Sequence, residues 1–389
     1  MQTWDMGIPE LQESTTDEKL KSELLTVNMG PQHPATHGVL RVEIKTDSEI
    51  VAEAIPHLGY LHRCMEKHSE SVDFRGVLPF IDRLDYLASM SQEYTYSAAV
   101  EKMLGTEVPE RAQVIRMMVL ELQRIASHLM AFGTYALDLG AFSPFLYAFD
   151  EREKILRFFE EISGARLLYN YIWIGGVWND VTDKQIDSLK NFLDEFEKEV
   201  VKYDELVSSN KIFQSRTMNV GVLSLDDALS FGATGPVLRG SGHAWDLRKT
   251  EPYLLYDKVD FDIPIAHGQK GSVVGDCFSR YIVRMEEVTE SIKIVRQCFD
   301  MLKPGPIIGK VPKIIKVPKG EIYMKTECPR GELGVHLVCD GGKTPYRVKI
   351  KSPCFTNVSI LPHIAPGQMI ADFVASIGSI DIVLGEVDR

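Results

Sequence analysis

The run from Pro109 to Leu139 constrains the fold more than any other stretch of the chain. It reads as one apolar-striped helix, about 45 Å long at 1.5 Å per residue. Apolar residues occur on all its faces (MMVLEL, IASHLMAF), a pattern that belongs in the middle of a bundle. Pro109 can open this helix where a missing N–H does no harm, and Gly105 ends the helical run before it.

The rest of the chain has to be arranged around that rod. Leu40, Val42 and Ile44 alternate, Thr46-Asp47-Ser48 can turn, and residues 50–55 run apolar until Pro56; this predicts a β-hairpin. Ile81, Leu84, Leu87 and Ala88 share a helical face, and the pattern runs on to Leu104. Helices are also predicted over 144–162, 182–207 and 276–303, the second with Thr182 and Gln185 as a capping box. That second helix is charged on most faces and is expected on the outside. Residues 212–275 are dense in glycine and read as loops with close backbone approaches. Short alternating strands follow (EIYMKTE, GVHLVC, YRVKIK), with Asp340-Gly341 as a turn. A last helix over about 366–377 leads into a short tail.

These readings give an α+β fold, a central buried helical bundle with β layers flanking it at the N- and C-terminal ends. Residues 1–24 are expected as a flexible arm. Residues 25–389 then form one domain: a β-hairpin region to 56, a helical bundle over 57–303 and a β-rich part with its tail over 304–389.

Composition narrows the classes of function. No run of about 18 apolar residues occurs, so no spanning helix is expected. The acidic start lacks the apolar core of a secretory signal. A net charge of −12 makes the chain a poor binder of nucleic acid or anionic lipid, so contact with a membrane is expected to go through partner proteins. The six cysteines include no Cys-x-x-Cys pair and are expected as buried thiols, without a metal site. Neither a Gly-x-Gly-x-x-Gly nor a Walker loop is present.

Four clusters could carry chemistry. In GPQHPATHG, residues 30–38, Pro31 and Pro34 forbid a helix, so His33 and His37 sit in a tight loop, either bonded to backbone or presented to a ligand. Asp82, Arg83, Asp85 and Tyr86 are expected on one helix, as solvated acids of a first turn or as a polar cluster inside an apolar stripe. Asp138 ends the long helix, where the dipole disfavours a carboxylate and raises its expected pKa; a proton relay and a break at the surface are both compatible with that. Around Arg330 in PRGELG, with Asp340 and Arg347 following, a β-turn with one salt bridge is expected.

At these same residues the sequence resembles the D-subunit family of proton-translocating NADH–quinone oxidoreductases, the respiratory complex I. The resemblance is carried by GPQHPATHGVLR, FIDRLDYLASM, AVEKMLG, LDLGAFSPF, PRGELG, DGGKTPYRVKIKSP and the closing GEVDR, in order over about residues 27–389. It implies a quinone headgroup docked between this chain and the small B subunit, which holds a [4Fe–4S] cluster. His37 and Tyr86 would bind the headgroup, with Asp138 paired to the histidine and His33 close by. A phenol and an imidazole can each donate to a quinone oxygen and give up a proton. Arg63 and Arg83 resemble arginines beside the partner's cluster, where a cation would raise its potential. The chain itself would hold no cofactor; FMN and NAD would bind elsewhere in the complex. Its partners would be the B, C and I subunits of the peripheral arm and the H subunit of the membrane arm, on the cytoplasmic side of the cell membrane.

The family is also similar to the large subunit of nickel–iron hydrogenases, which hold their metals with two Cys-x-x-Cys pairs. Asp85, Ala88, Val383 and Glu386 stand at the matching positions, so the soft ligand set is gone. This argues against an energy-converting hydrogenase and implies an old metal cavity turned to quinone binding. Three departures from the family pattern stand out: Leu168 for a frequent histidine, Trp173 for a frequent arginine, and a short segment over 303–320. The first two remove charge or proton donors and imply a lower-potential partner cluster, suited to menaquinone. A ferredoxin- or deazaflavin-fed complex, and a scaffold without a redox role, remain as alternatives.

Overall fold

The computed structural model describes residues 24–268 and 271–389, so all but the last residue of the expected arm lies outside the described residues. Strands β1 (Leu25–Met29), β2 (Arg41–Asp47) and β3 (Ile50–His57) form an antiparallel sheet. The expected hairpin is β2–β3, and β1 adds a third strand in register from Leu25 opposite Thr46 to Met29 opposite Val42. Pro56 does not end the hairpin. It sits within β3, opposite Val42 on a flanking strand of the sheet, where a missing donor is tolerated.

After the short helix α1 (Met65–Ser69), the single helix expected from 81 to 104 is two. Helix α2 (Leu78–Ile81) stops, residues 82–88 make turns, and α3 (Ser89–Leu104) starts afresh. The Asp85 carboxylate causes part of this break, because its Oδ1 accepts the N–H of Leu87 at 3.1 Å in place of a helical carbonyl.

Helix α4 (Glu110–Asp138) is the expected rod, and 22 of its residues are buried. It packs against α5 (Phe142–Ser163) and, beyond the short strands β4 (Ile172–Trp173) and β5 (Gly176–Val177), against the later helix α11. Helix α6 (Asp183–Tyr203) carries the expected capping box, with Oγ1 of Thr182 accepting from the N–H of Gln185. It buries Ile186, Leu189, Leu193 and Phe196 and leaves its other faces to solvent, then runs into a π-helical turn over Asp204–Ser208.

The glycine-dense stretch is more ordered than loops. It holds four short helices: α7 (Lys211–Thr217), α8 (Leu225–Phe231), α9 (Gly235–Gly240) and α10 (Leu247–Thr250). The close approaches are there too. A Cβ on Gly275 would lie 2.1 Å from the carbonyl oxygen of Leu223. Helix α11 (Cys277–Met301) begins at its cap Asp276, whose carboxylate accepts from the N–H of Ser279.

Strands β6 (Gly320–Cys328), β7 (Gly331–Cys339) and β8 (Arg347–Lys351) form a second three-stranded antiparallel sheet, against which α3 packs. Two short helices, α12 (Pro353–Val358) and α13 (Leu361–Ile364), precede α14 (Ile370–Ile380), which starts and ends later than expected. The expected tail is a buried helical turn, α15 (Leu384–Asp388). It is stitched to the segment before α1: the Asp388 carboxylate accepts the N–H groups of Gly59 and Leu61.

Buried apolar residues group into three cores: one around α4, α5, α6 and α11, one under the first sheet with α14, and one between α3 and the second sheet. The α+β class stands. Five of the six cysteines are buried, and Cys64 is the exception, exposed at the start of α1. Among the described residues no helix is long and apolar enough to cross a membrane.

Candidate functional site

The GPQHPATHG loop winds into one 3-10 turn over Pro34–Thr36. His33 caps it, with Nδ1 accepting from the N–H of Ala35 at 3.2 Å. His37 ends it in the left-handed backbone region, at φ 51°. That turn faces the C-terminal end of α4, where Nε2 of His37 lies 2.5 Å from Oδ2 of Asp138. Burial alone would lower the His37 pKa. The bond to Asp138 and the charges of Asp138 and Asp381 outweigh it, against opposition from Arg330, and the imidazole is held above its ordinary value. His37 and Asp138 thus form a hydrogen-bonded pair that favours the charged imidazole more than its burial alone would.

Both residues open into a cavity of about 810 Å³. His33 and Tyr86 line it as well, with Leu87, Met130, Leu137, Val374, Ile382 and Val383 as its apolar wall. Four of the six sequence-predicted site residues, His33, His37, Tyr86 and Asp138, therefore share one cavity. Tyr86 comes from the turns between α2 and α3 and not from a helix. Burial first, then the Asp85 charge, raise its phenol above the ordinary value, so it is a neutral hydroxyl.

Arg63 and Arg83 stand apart from that cavity. Arg63 ties the chain behind it, donating from Nη2 to the carbonyls of Arg83 at 2.9 Å and Gly385 at 3.0 Å. Arg83 donates to the Pro79 carbonyl and keeps 43% of its side chain exposed. Leu168, in the same region as Trp173, has φ 59°, a conformation in which histidine is commoner than leucine.

A buried ionic cluster supports the cavity floor, and most of it was not legible beforehand. Arg330, fully buried at the β6–β7 turn, donates from Nη1 to Asp85 at 2.7 Å and from Nη2 to Asp381 at 3.3 Å; its Nε bonds the Asp381 carbonyl. One salt bridge was expected over this stretch; Arg330 alone makes two, because it turns inward between two acids, and Glu332 and Arg347 make others. Asp381 lines the cavity and caps α14 at φ 56°. A lone acid in the apolar run SIDIVLG was the signal that could have found it, since such an acid needs a buried partner. Behind it, Glu386 accepts from Nε2 of Gln92 at 2.9 Å. Burial, then Asp85, push its carboxyl up to about 7. Among the described residues no group of three or more histidine, cysteine or acidic side chains is placed to hold a metal ion.

Comparison with known proteins covers most of the chain. A family model described as the respiratory-chain NADH dehydrogenase, 49 Kd subunit, matches residues 138–316 and 311–389. The chain is similar to a Chlorobaculum tepidum protein named as the D subunit of NADH-quinone oxidoreductase, 51% identical over 379 residues, covering 96% of this chain and 94% of that protein. Proteins of the same name from Chlorobium luteolum and Prosthecochloris aestuarii are each 50% identical, over 96% of this chain and 95% and 94% of their own lengths.

Proposed function

The chain belongs to the family of the 49 kDa subunit of respiratory-chain NADH dehydrogenase, part of an oxidoreductase complex, and on that premise we propose that its large cavity receives the headgroup of a quinone. The observation that carries this reading is the His37–Asp138 pair, at 2.5 Å, set in a mainly apolar cavity with Tyr86. The apolar wall suits the ring and its substituents. Reduction of a quinone to a quinol takes two electrons and two protons. The electrons come from a [4Fe–4S] cluster of the small B subunit, and ultimately from NADH through FMN elsewhere in the complex.

The protons come from this chain. His37, whose pKa is raised by Asp138 against its burial, donates its proton to one quinone oxygen and is left as a neutral imidazole. The Tyr86 phenol donates a hydrogen bond, and then a proton, to the other. Asp138 keeps the imidazolium oriented and is the route of its reprotonation, which couples the site to proton pumping. His33 stands beside the headgroup. Arg63 and Arg83 face the partner's cluster, and Arg83, half exposed, is the better placed of the two to act on it.

The architecture is read as one hydrogenase large-subunit-like domain over residues 25–389. Its former metal positions are now occupied by the buried acids Asp85 and Glu386, by Ala88 and by the cavity residue Val383. As a peripheral component on the cytoplasmic side, it meets the membrane through the H subunit of the membrane arm and contacts the C and I subunits in the peripheral arm.

Tyr86→Phe in the intact complex tests this. Electron flow from NADH to quinone should fall about 10²-fold or more, the range for loss of a general acid. Flow from NADH to an artificial acceptor upstream should persist. Unchanged quinone reduction would make Tyr86 a packing residue and remove the proposed role.

A further inference from the structure

A second, much smaller cavity lies in the bundle core beside the large one. Its volume is about 10 Å³, and His128, Tyr135, Arg284 and Gly378 are among its walls. That volume corresponds to about one water molecule. Gly378 separates the two cavities: a Cβ there would lie 2.8 Å from the Tyr135 ring and 3.2 Å from Oδ2 of Asp138.

The polar atoms around it are unusually incomplete. Nε2 of His128 lies 2.8 Å from the Glu287 carboxylate. Burial, opposed by Glu287, holds the His128 pKa below its ordinary value, so the ring is neutral. Glu287 stays ionised, because Arg239 and His128 outweigh its burial. A carboxylate can only accept, so the proton is on Nε2 and Nδ1 is a bare acceptor. Nδ1 is buried without a hydrogen bond, and so is Nε of Arg284. The Tyr135 hydroxyl is directed at the Cys277 thiol. His128, Tyr135 and Arg284 are 1%, 3% and 6% exposed, so bulk solvent does not satisfy them.

One acceptor and one cationic donor beside a space of this size suit a buried water, which takes two to four polar partners. The same Nε of Arg284 lies 4.0 Å from Oδ2 of Asp381, beyond direct hydrogen-bonding distance, and that oxygen also has no hydrogen bond. We propose that the small cavity binds a single water molecule, which donates to Nδ1 of His128 and accepts from Arg284. Held in this way, Arg284 is a positioning residue that fixes the Asp381 carboxylate in the wall of the large cavity.

The consequence is electrostatic. Asp381 is faced by Arg330, Arg284 and Asp85, and it acts on His37. His37 in turn is faced by Asp138, Asp381 and Arg330. Arg284 itself is faced by Asp381, Arg280, Glu287 and Arg330, and by His128. Removing the Arg284 charge leaves the field of Asp381 on His37 less compensated, so His37 keeps its proton to higher pH. The positioning role rests on the quinone reading given above; the water site does not.

Two measurements on the intact complex test the proposal. The first is a structure at a resolution that shows ordered water. Density within hydrogen-bonding distance of Nδ1 of His128 and Nε of Arg284 is expected, and its absence overturns the water site. The second is the pH profile of quinone reduction. Arg284→Gln should move its alkaline limb to higher pH, and Arg284→Lys should leave it in place. Asp138→Asn is the control for the quinone reading. If it moves the limb and Arg284→Gln does not, the positioning role is overturned; if neither moves it, the quinone reading fails and takes that role with it. Where Arg284→Gln does not assemble, His128→Leu carries the test, since it removes the Nδ1 acceptor while Arg239 still pairs with Glu287. Loss of the density with an upward shift of the limb supports the proposal, and a wild-type profile overturns it.

Discussion

Oδ2 of Asp138 lies 2.5 Å from Nε2 of His37, and 101 residues of chain separate the two. The long helix ends at the carboxylate, and a single 3-10 turn presents the imidazole. The pairing sets the protonation of the histidine, because without it burial would be the dominant influence.

Asp138→Asn should therefore change the pH dependence of quinone reduction. In the wild type the raised His37 pKa means that more than half of the imidazole is still protonated at its ordinary value of 6.5, and the proton is lost as the pH rises through the higher folded value. With asparagine, burial is no longer outweighed and the proton leaves at lower pH. The alkaline limb of the profile should move toward acid, while electron flow to an upstream acceptor keeps its profile. A limb that stays where it was would show that His37 is not the titrating donor.

Arg330 is the residue whose loss should cost most in stability. Arg330→Met leaves Asp85 and Asp381 buried without their shared cation. Breaking a buried pair in this way costs about 3–5 kcal/mol, read as a lower melting temperature or as lost assembly. Adding Asp85→Asn removes one of the stranded charges and should recover part of that loss. A double variant no better than the single one would place the damage in packing instead.

Much of the architecture was legible because it is local. The apolar stripe of α4, the β2–β3 hairpin and the Thr182 capping box depend on residues within a few positions of one another. The break between α2 and α3 was not legible, since Asp85 is held away from a helix by Arg330, 245 residues later. The same applies to the site. His33, His37, Tyr86 and Asp138 stood out as candidates with bland alternatives, the family resemblance set them in one site, and they share a cavity. Asp381 and the inward course of Arg330 did not, because a buried ion pair between distant segments leaves no period in the sequence. The four short helices among the glycines escaped for a different reason: none is longer than seven residues, too short to show a stripe.

Glu386 gives a stability test with a definite sign. Its folded pKa is about 7, above the ordinary 4.5. The stability tied to its neutral form is fully present below 4.5 and is lost as the pH rises toward 7. Glutamine keeps a neutral side chain at every pH and can still bond Gln92. Glu386→Gln should thus melt higher than the wild type above pH 7 and no higher below pH 4.5. Equal melting at both ends would mean that Glu386 titrates as an ordinary acid.

The walls of the large cavity come from residues 33–37, 86–87, 130–138 and 381–383, among others. Each can reach the others only by closing a long loop of chain, and closing such loops is slow compared with winding a helix. A refolding chain is therefore expected to acquire its helices, and even its hairpin, before the walls of the cavity come together. A ligand that fills the cavity should then report on the completeness of the fold more sharply than helix content does.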